Sequence, residues 1–477
     1  MSAPFNPVSG RRQFLKAVGG SAAAIAMPSF GVEGANDQIR LGLIGCGGRG
    51  TSLFDWFRGI SGVKFVALSD ADTAAMDRIA SKHQGLAKHQ DYRKLLERED
   101  IDAVVIATPN HWHALQVIHA CQAGKDVYVE KPVTFSVDQG RAIIEARDKY
   151  QRIVQAGTQN RSDKGLINAF EYIRSGEIGK IKAVRGLCYR NRASIGKLDK
   201  PLKIPASVDY NLWLGGCKDV PIMRPQLHYD WHWDFNTGNG DVGNQAPHEF
   251  DLISWVLGDP LPTKPVRSFG NRFGWNDAGD TANMQTVWYE LGGVPVIFEV
   301  NNMTLKPKLD ASPAFKGLRV GVIVTCEGGE FIGGRGGGFV NGEDGKTKIE
   351  RFPGDAGGGH ARNFIEAVRS RKGDGLRAKL ENSVASATVP HLANLSYRAG
   401  EPVPRTKLRE ALGAELADVI DRQEKQMGFW GIDTEKTPYL LGPEVTLGAD
   451  GRVSGSPAVV ELATPKYREG FGIPASV

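Results

Sequence analysis

From Ile39 onward the chain alternates short apolar runs with amphipathic stretches. Ile39–Ile44, Val63–Leu68, Ala103–Ala107, Asp126–Val129 and Ile153–Gln155 read as short buried strands. Ala74–His83, His113–Ala123 and Val137–Tyr150 read as the helices between them, with Gly85 and Gly124 as stops. Such alternation predicts a parallel, doubly wound sheet that ends near Gly157. Beyond Asn160 the texture changes. One helix, Lys164–Ser175, leads into runs with polar alternation at Ile181–Arg190, Thr281–Glu290, Val294–Met303 and Gly321–Cys326. These predict a large, open-faced, mainly antiparallel sheet in an α+β domain. Ala361–Arg369 and Ser383–Tyr397 read as helices, and the glycine runs 333–338 and 354–359 as turns or a mobile flap. The expected division is a leader over 1–35, a Rossmann domain over 36–158, the α+β domain over 159–400 and an extension of unassigned role over 401–477.

The first strand runs into Gly45-Cys46-Gly47-Gly48-Arg49-Gly50, a G-x-G-x-x-G turn. The second strand ends in Asp70, twenty residues beyond Gly50. That order is a dinucleotide fingerprint. Gly45 makes the tight turn, Gly47 with Gly48 and Arg49 lets backbone N–H groups approach a pyrophosphate, and Gly50 permits close helix–strand packing. The helix start offers unpaired donors and a positive dipole end. Asp70 is suited to the adenosine ribose hydroxyls and would repel a 2′-phosphate, so NAD is favoured over NADP.

Composition narrows the field. The 477 residues are 41% hydrophobic and 24% charged, with a net charge of +5 and no long basic run, so nothing points to nucleic acid. No apolar segment reaches the ~20 residues a bilayer span requires. Arg11-Arg12-Gln13-Phe14-Leu15-Lys16 before the small-residue stretch Ala17–Phe30 reads as a twin-arginine export signal, which places the protein in the periplasm or otherwise outside the cytoplasm. The five cysteines are odd in number and scattered, so no disulfide framework is evident.

Thr108-Pro109-Asn110-His111-Trp112-His113 follows the third strand directly. Ligands in open α/β sheets sit beyond the carboxyl ends of the strands, so these residues lie where a nicotinamide belongs. The fourth strand ends in Glu130-Lys131-Pro132, and Lys131 suits polarising a substrate oxygen or passing a proton. Farther on, Gly243-Asn244-Gln245-Ala246-Pro247-His248-Glu249-Phe250-Asp251 places His248 and Asp251 on one helix face, with Asn244 as a cap. A metal reading of His228, His232, His248 and Asp251 lacks the H-E-x-x-H glutamate and any C-x-x-C, and no metal is expected. Five tryptophan or tyrosine rings between Tyr210 and Trp233 make a sugar platform. Trp213, Tyr229, Trp231 and Trp233 would stack on pyranose faces while His228, His232 and Arg161 bond hydroxyls.

Together these four motifs resemble the glucose-fructose oxidoreductase / inositol dehydrogenase / rhizopine catabolism (Gfo/Idh/MocA) family over about Ile39–Tyr397. The resemblance implies a tightly held nicotinamide cofactor, sugar or polyol substrates, and a dimer or tetramer. By the family's pattern Lys131 lies between nicotinamide and the reacting hydroxyl, and His248 is the acid/base histidine. Glu130, Asn110, His113 and Asn160 would line the cofactor. One departure is Asn244, where family dehydrogenases commonly carry Asp in D-x-x-x-H: an amide orients His248 but cannot stabilise an imidazolium as a carboxylate does. Exported relatives with tryptophan-rich loops include NAD-dependent glycosidases, and Gly357-Gly358-Gly359-His360 is similar in composition, though not in order, to a motif of that branch. The expected function is an exported NAD(P)-dependent oxidoreductase acting on a carbohydrate hydroxyl. Redox-assisted glycoside cleavage is the alternative, and an inert sugar-binding protein the third reading.

Overall fold

The computed structural model describes residues 38–474 and Val477; the expected export signal at Arg11-Arg12 lies outside them. The first sheet is built from β1 (Ile39–Ile44), β2 (Val63–Ser69), β3 (Ala87–His89), β4 (Ala103–Ile106), β5 (Asp126–Val129) and β6 (Val154–Ala156). Its strand order is β3-β2-β1-β4-β5-β6, parallel throughout. Every residue of β4 and β5 is buried, which is why these strands read as unbroken apolar runs. The connecting helices are α1 (Gly48–Arg58), α2 (Thr73–Ala80), α3 (Tyr92–Leu96), α4 (His113–Gln122) and α5 (Gln139–Tyr150). The order reverses between β1 and β4, and that switch point opens the crevice in which the site lies.

The second sheet has ten strands and begins after α6 (Lys164–Arg174) with β7 (Ile181–Tyr189). It continues through β8 (Arg267–Asn271), β9 (Met284–Leu291), β10 (Val294–Asn301), β11 (Val320–Cys326), β12 (Gly329–Gly334), β13 (Gly337–Gly342) and β14 (Lys348–Pro353). All pairings are antiparallel except β7 with β10. The glycine run 333–338, expected as turns or a flap, supplies the turn of the β12–β13 hairpin at Arg335-Gly336 together with the strand ends on either side. A Cβ on Gly333 or Gly338 would lie 2.5–2.6 Å from the Phe331 ring, so glycine is what lets the hairpin close over that side chain.

Between β7 and β8 in the chain lie α7 (Tyr210–Leu214), α8 (Gly240–Asn244) and α9 (Pro247–Val256); α10 (His360–Ser370) and α11 (Leu380–Arg398) follow β14. Phe364 and Ile365 of α10 return to the core of the first sheet, whereas Leu392 and Ala393 of α11 belong to the core beneath the second. The tail is part of the fold rather than an appendage. Residues Glu401–Val403 (β15) and Tyr439–Leu441 (β16) complete the ten-stranded sheet, next to β8. Helices α12 (Arg405–Leu412) and α13 (Ala417–Trp430) cover the face of the second sheet that the sequence leaves open. Arg422 of α13 binds buried Glu299 of β10 at 2.8 Å, and Gln423 bonds Thr286 of β9 at 2.9 Å.

Candidate active site

The glycine turn has the geometry its spacing predicts. Gly45 lies at φ +92°, where a Cβ would meet the Ala107 carbonyl at 2.6 Å. A Cβ on Gly50 would come within 1.9 Å of the Gly45 oxygen, so α1 could not dock against the turn with any side chain there. At Gly47 and Gly48 an added Cβ meets nothing within 4 Å, leaving the amides of α1's first turn open to the crevice. Asp70 closes this end. Its carboxylate accepts from Cys46 N at 2.6 Å and from Asp72 N at 2.9 Å, and burial raises its pKa. The open amides, the positive helix end and the buried acid fit the pyrophosphate and ribose of a dinucleotide.

The crevice continues as a cleft of about 680 Å³. Gly45, Gly47, Gly48, Arg49, Asp70, Pro109, Asn110, Trp112, His113, Glu130 and Lys131 line it, and so do His228, Trp231, His232, Asn244 and His248. Most of the expected cofactor and substrate residues thus share one wall. Glu130 is buried and accepts from Arg49 Nε at 2.8 Å and from Gln159 at 2.9 Å. It serves as an anchor for Arg49 as well as a wall of the cleft. Lys131 extends across the cleft and donates to the Asn244 carbonyl at 2.6 Å. Burial lowers its pKa against the opposing pull of Glu130, Asp241 and Glu249. Beside it, burial and then the Lys131 charge push the His248 imidazole well below its ordinary range. His248 Nδ1 is buried with no partner among the described residues. An ammonium held beside a neutral imidazole, both on the cleft lining, is an acid–base pair suited to a substrate hydroxyl.

Several expected residues do other work. His111 does not line the cleft; its ring nitrogens lie 3.1 and 3.2 Å from the Thr237 and Trp213 carbonyls, to one of which the neutral ring donates, and so it ties the two domains together. Asn160 is buried but does not line the cleft. Arg161 is not a substrate contact: it is 3% exposed, grips both oxygens of Asp251 at 2.9–3.0 Å, and reaches Asp259. Asp251 therefore faces Arg161 rather than His248. Asn244 ends α8, and Ala246 is the residue that precedes α9, so Asn244 is not its cap. Trp233 is buried outside the cleft, and His360 bonds Ser162 and the Ala156 carbonyl rather than any cleft group. His228 pairs with Asp72 at 3.1 Å, and Trp231 stacks on His232 with ring centroids 3.7 Å apart.

Sequence reasoning missed the acids behind this wall. Asp241 is buried and ion-paired with Arg192 at 2.8 Å, which holds its pKa down although burial opposes it. Glu249, also buried, has its pKa pushed up to about 8 by burial. An acid inside the glycine-rich run 238–243 was the one visible signal for Asp241.

With this geometry in view, the comparisons with known proteins converge. Residues 39–158 match the family model described as "Oxidoreductase family, NAD-binding Rossmann fold". The nucleotide-binding domain belongs to the Gfo/Idh/MocA oxidoreductase family. A "Glycosyl hydrolase family 109 protein" of Shewanella pealeana is 30% identical over 200 residues, covering 36% of this chain and 44% of the relative. An "Inositol 2-dehydrogenase" of Salmonella typhimurium is 32% identical over 225 residues, covering 46% and 62%. The chain thus spans less than two thirds of the length of these relatives. The fold is also that of the WlbA dehydrogenase from Bordetella pertussis, solved in complex with NADH and UDP-GlcNAcA, at TM-score 0.56 and 18% identity over 76% of this chain and 97% of that one.

The Arg161–Asp251 pair is structural, and that role is testable. Arg161→Met strands a carboxylate with 0% exposure and is expected to destabilise the fold by about 3–5 kcal/mol. Urea denaturation should show it as a lower midpoint, and nucleotide binding below that midpoint should be unchanged. An unchanged midpoint would return Arg161 to the list of ligand contacts.

Proposed function

We propose that the protein is an NAD-dependent oxidoreductase acting on a hydroxyl of a sugar or sugar derivative, exported by the twin-arginine route with its cofactor tightly bound. The observation that carries this reading is the Lys131–Asn244 hydrogen bond, which sets the ammonium beside His248 in the cleft that begins at the glycine turn. NAD, when bound, supplies a nicotinamide that accepts and returns a hydride. The chain's own residues manage the proton. Lys131, as the ammonium, polarises the reacting oxygen while the His248 imidazole, which burial keeps neutral, takes the alcohol proton; the uncharged Lys131 amine, whose pKa burial lowers, is the other acceptor. Trp231, stacked on His232, presents a flat apolar face for a sugar ring.

The purified protein is expected to keep nicotinamide absorbance through dialysis and to reduce that nucleotide when a panel of mono- and disaccharides is added. Loss of all nucleotide on gentle desalting would count against it. A second reading, glycoside cleavage by transient oxidation and elimination, is favoured by the likeness to the glycosyl hydrolase family 109 protein. Aglycone release from aryl glycosides without net NADH formation would select it.

The choice of NAD over NADP rests on Asp70. Its carboxylate is fixed by two backbone amides, where a 2′-phosphate would meet like charge. Asp70→Ser is expected to narrow the NAD preference by about tenfold or more, one step of ~1.4 kcal/mol. Titrating the stripped protein with each nucleotide reads this directly, and an unchanged ratio would remove Asp70 from the discrimination.

A further inference from the structure

Beyond Arg49 and Arg78 of the first domain, three arginines line the cleft: Arg190, Arg192 and Arg335. They are not equivalent. Arg192 is spent on Asp241, with both of its contacts to that carboxylate at 3.0 Å or less. Arg190 follows β7 directly, and its guanidinium donates only to the neutral Gln245 side chain, at 2.7 Å. Arg335 sits at the tip of the β12–β13 hairpin, and no hydrogen bond or ion pair is found for it among the described residues.

The hairpin that bears Arg335 is held in place. Gly336 N, the next residue, donates to Asp163 at 2.9 Å, and the other oxygen of that fully buried Asp163 caps α6 at 2.9 Å. The tip backbone is thereby bolted to the helix that begins the second domain. A loop tied down at this point fixes where its arginine can reach, so little ordering entropy is left to lose when a ligand binds.

Among the described residues neither the Arg190 nor the Arg335 guanidinium forms an ion pair, and Glu249, the buried acid that feels the Arg190 charge, has its pKa pushed up to about 8 by burial. Asp241 is committed to Arg192 and Asn302, and Glu130 is committed to Arg49. The charges of Lys131, Arg49, Arg335 and Arg190 all reach His248. The reacting end of the cleft is therefore a positive field with donors to spare.

We propose that this end of the cleft recognises a carbohydrate bearing an anionic substituent, a carboxylate or a sulfate or phosphate ester, through Arg190 and Arg335. The proposal rests on the reading of the cleft as a carbohydrate site and specifies its substrate class. Planar, forked donors suit such groups, and charge-assisted bonds from them are the stronger kind. Gln245 orients Arg190 for this task without neutralising it.

The test uses the full-length protein loaded with NAD and matched pairs of sugars: glucuronate with glucose, galacturonate with galactose, and glucose 6-sulfate and glucose 6-phosphate with glucose. Binding is read by calorimetry. At least one acidic member should bind about tenfold or more tightly than its neutral partner. Arg335→Gln and Arg190→Gln should each erase most of that gap while leaving NAD retention and neutral-sugar affinity in place. The carboxylate, sulfate and phosphate arms identify which anion is read. Equal binding of acidic and neutral sugars by the wild-type protein would overturn the proposal and leave the oxidoreductase reading standing. A gap that survives both substitutions would also overturn it. Failure of every sugar to bind a protein that still holds NAD would sink the carbohydrate reading, and this proposal with it.

Discussion

Lys131→Met is expected to lower turnover of a sugar substrate by a factor of about 10²–10⁴, the usual range for loss of a positioned proton-handling group. Nucleotide retention should survive, because the glycine turn, Asp70 and the Arg49–Glu130 pair are untouched. The substitution keeps a chain of similar length, so the cleft wall stays filled. A second readout separates chemistry from architecture. His248 owes part of its lowered pKa to the neighbouring ammonium. Removing that charge should raise the pKa of the ring and move the acid limb of the rate profile upward, toward the ordinary histidine value of 6.5. Lys131→Arg keeps a cation and should leave the limb near its original place even if turnover falls. A methionine variant with full activity would end the assignment, and an inert sugar-binding protein would have no activity to lose.

The parts of this molecule legible in the sequence are those where the backbone itself does the work. Gly45 and Gly50 could be assigned because their roles are steric: one needs a positive φ and the other must sit within touching distance of a carbonyl. Asp70 and Lys131 could be placed because strand ends in a parallel sheet converge on one edge. Side-chain partnerships were a different matter. Arg161 and Asp251 are 90 positions apart, and nothing local reveals that two polar residues beside a site will spend themselves on each other. The histidines misled for the same reason, since His111 looks the same in sequence whether it meets a ligand or two carbonyls of a distant loop. The turn in the glycine run 333–338 was legible, but its flanking strand ends were not, because the ring of Phe331 faces Gly333 and Gly338 only after the hairpin has formed. The tail had no assigned role because β15 and β16 are three residues each, too short to show a period.

Mild acid is expected to loosen the molecule at the junction of its two domains. His111 bridges to the Thr237 and Trp213 carbonyls, His391 of α11 bonds Thr134 beyond β5 at 3.0 Å, and His360 of α10 joins Ser162 to the Ala156 carbonyl of β6. Burial lowers each ring's pKa from 6.5 to about 4. Unfolding frees rings that take up a proton near pH 6.5, whereas the folded rings resist until about pH 4. Their contribution is therefore complete above pH 6.5 and drains away as the pH falls toward 4, by about 3 kcal/mol for each ring at ~1.4 kcal/mol per pH unit. Glu249, with its pKa raised by burial to about 8, runs the other way and offsets about one of them. His119 and His232, lowered by burial to about 4 and about 3, restore the balance toward acid lability. The net loss is comparable to the 5–15 kcal/mol that typically separates folded from unfolded chains. Thermal melts should fall on the order of 10 °C between pH 7.5 and pH 5, with His391→Gln removing part of the slope at a modest cost at neutral pH. A melting temperature that stays flat across that interval would show that these rings are charged, or solvated, in the folded protein.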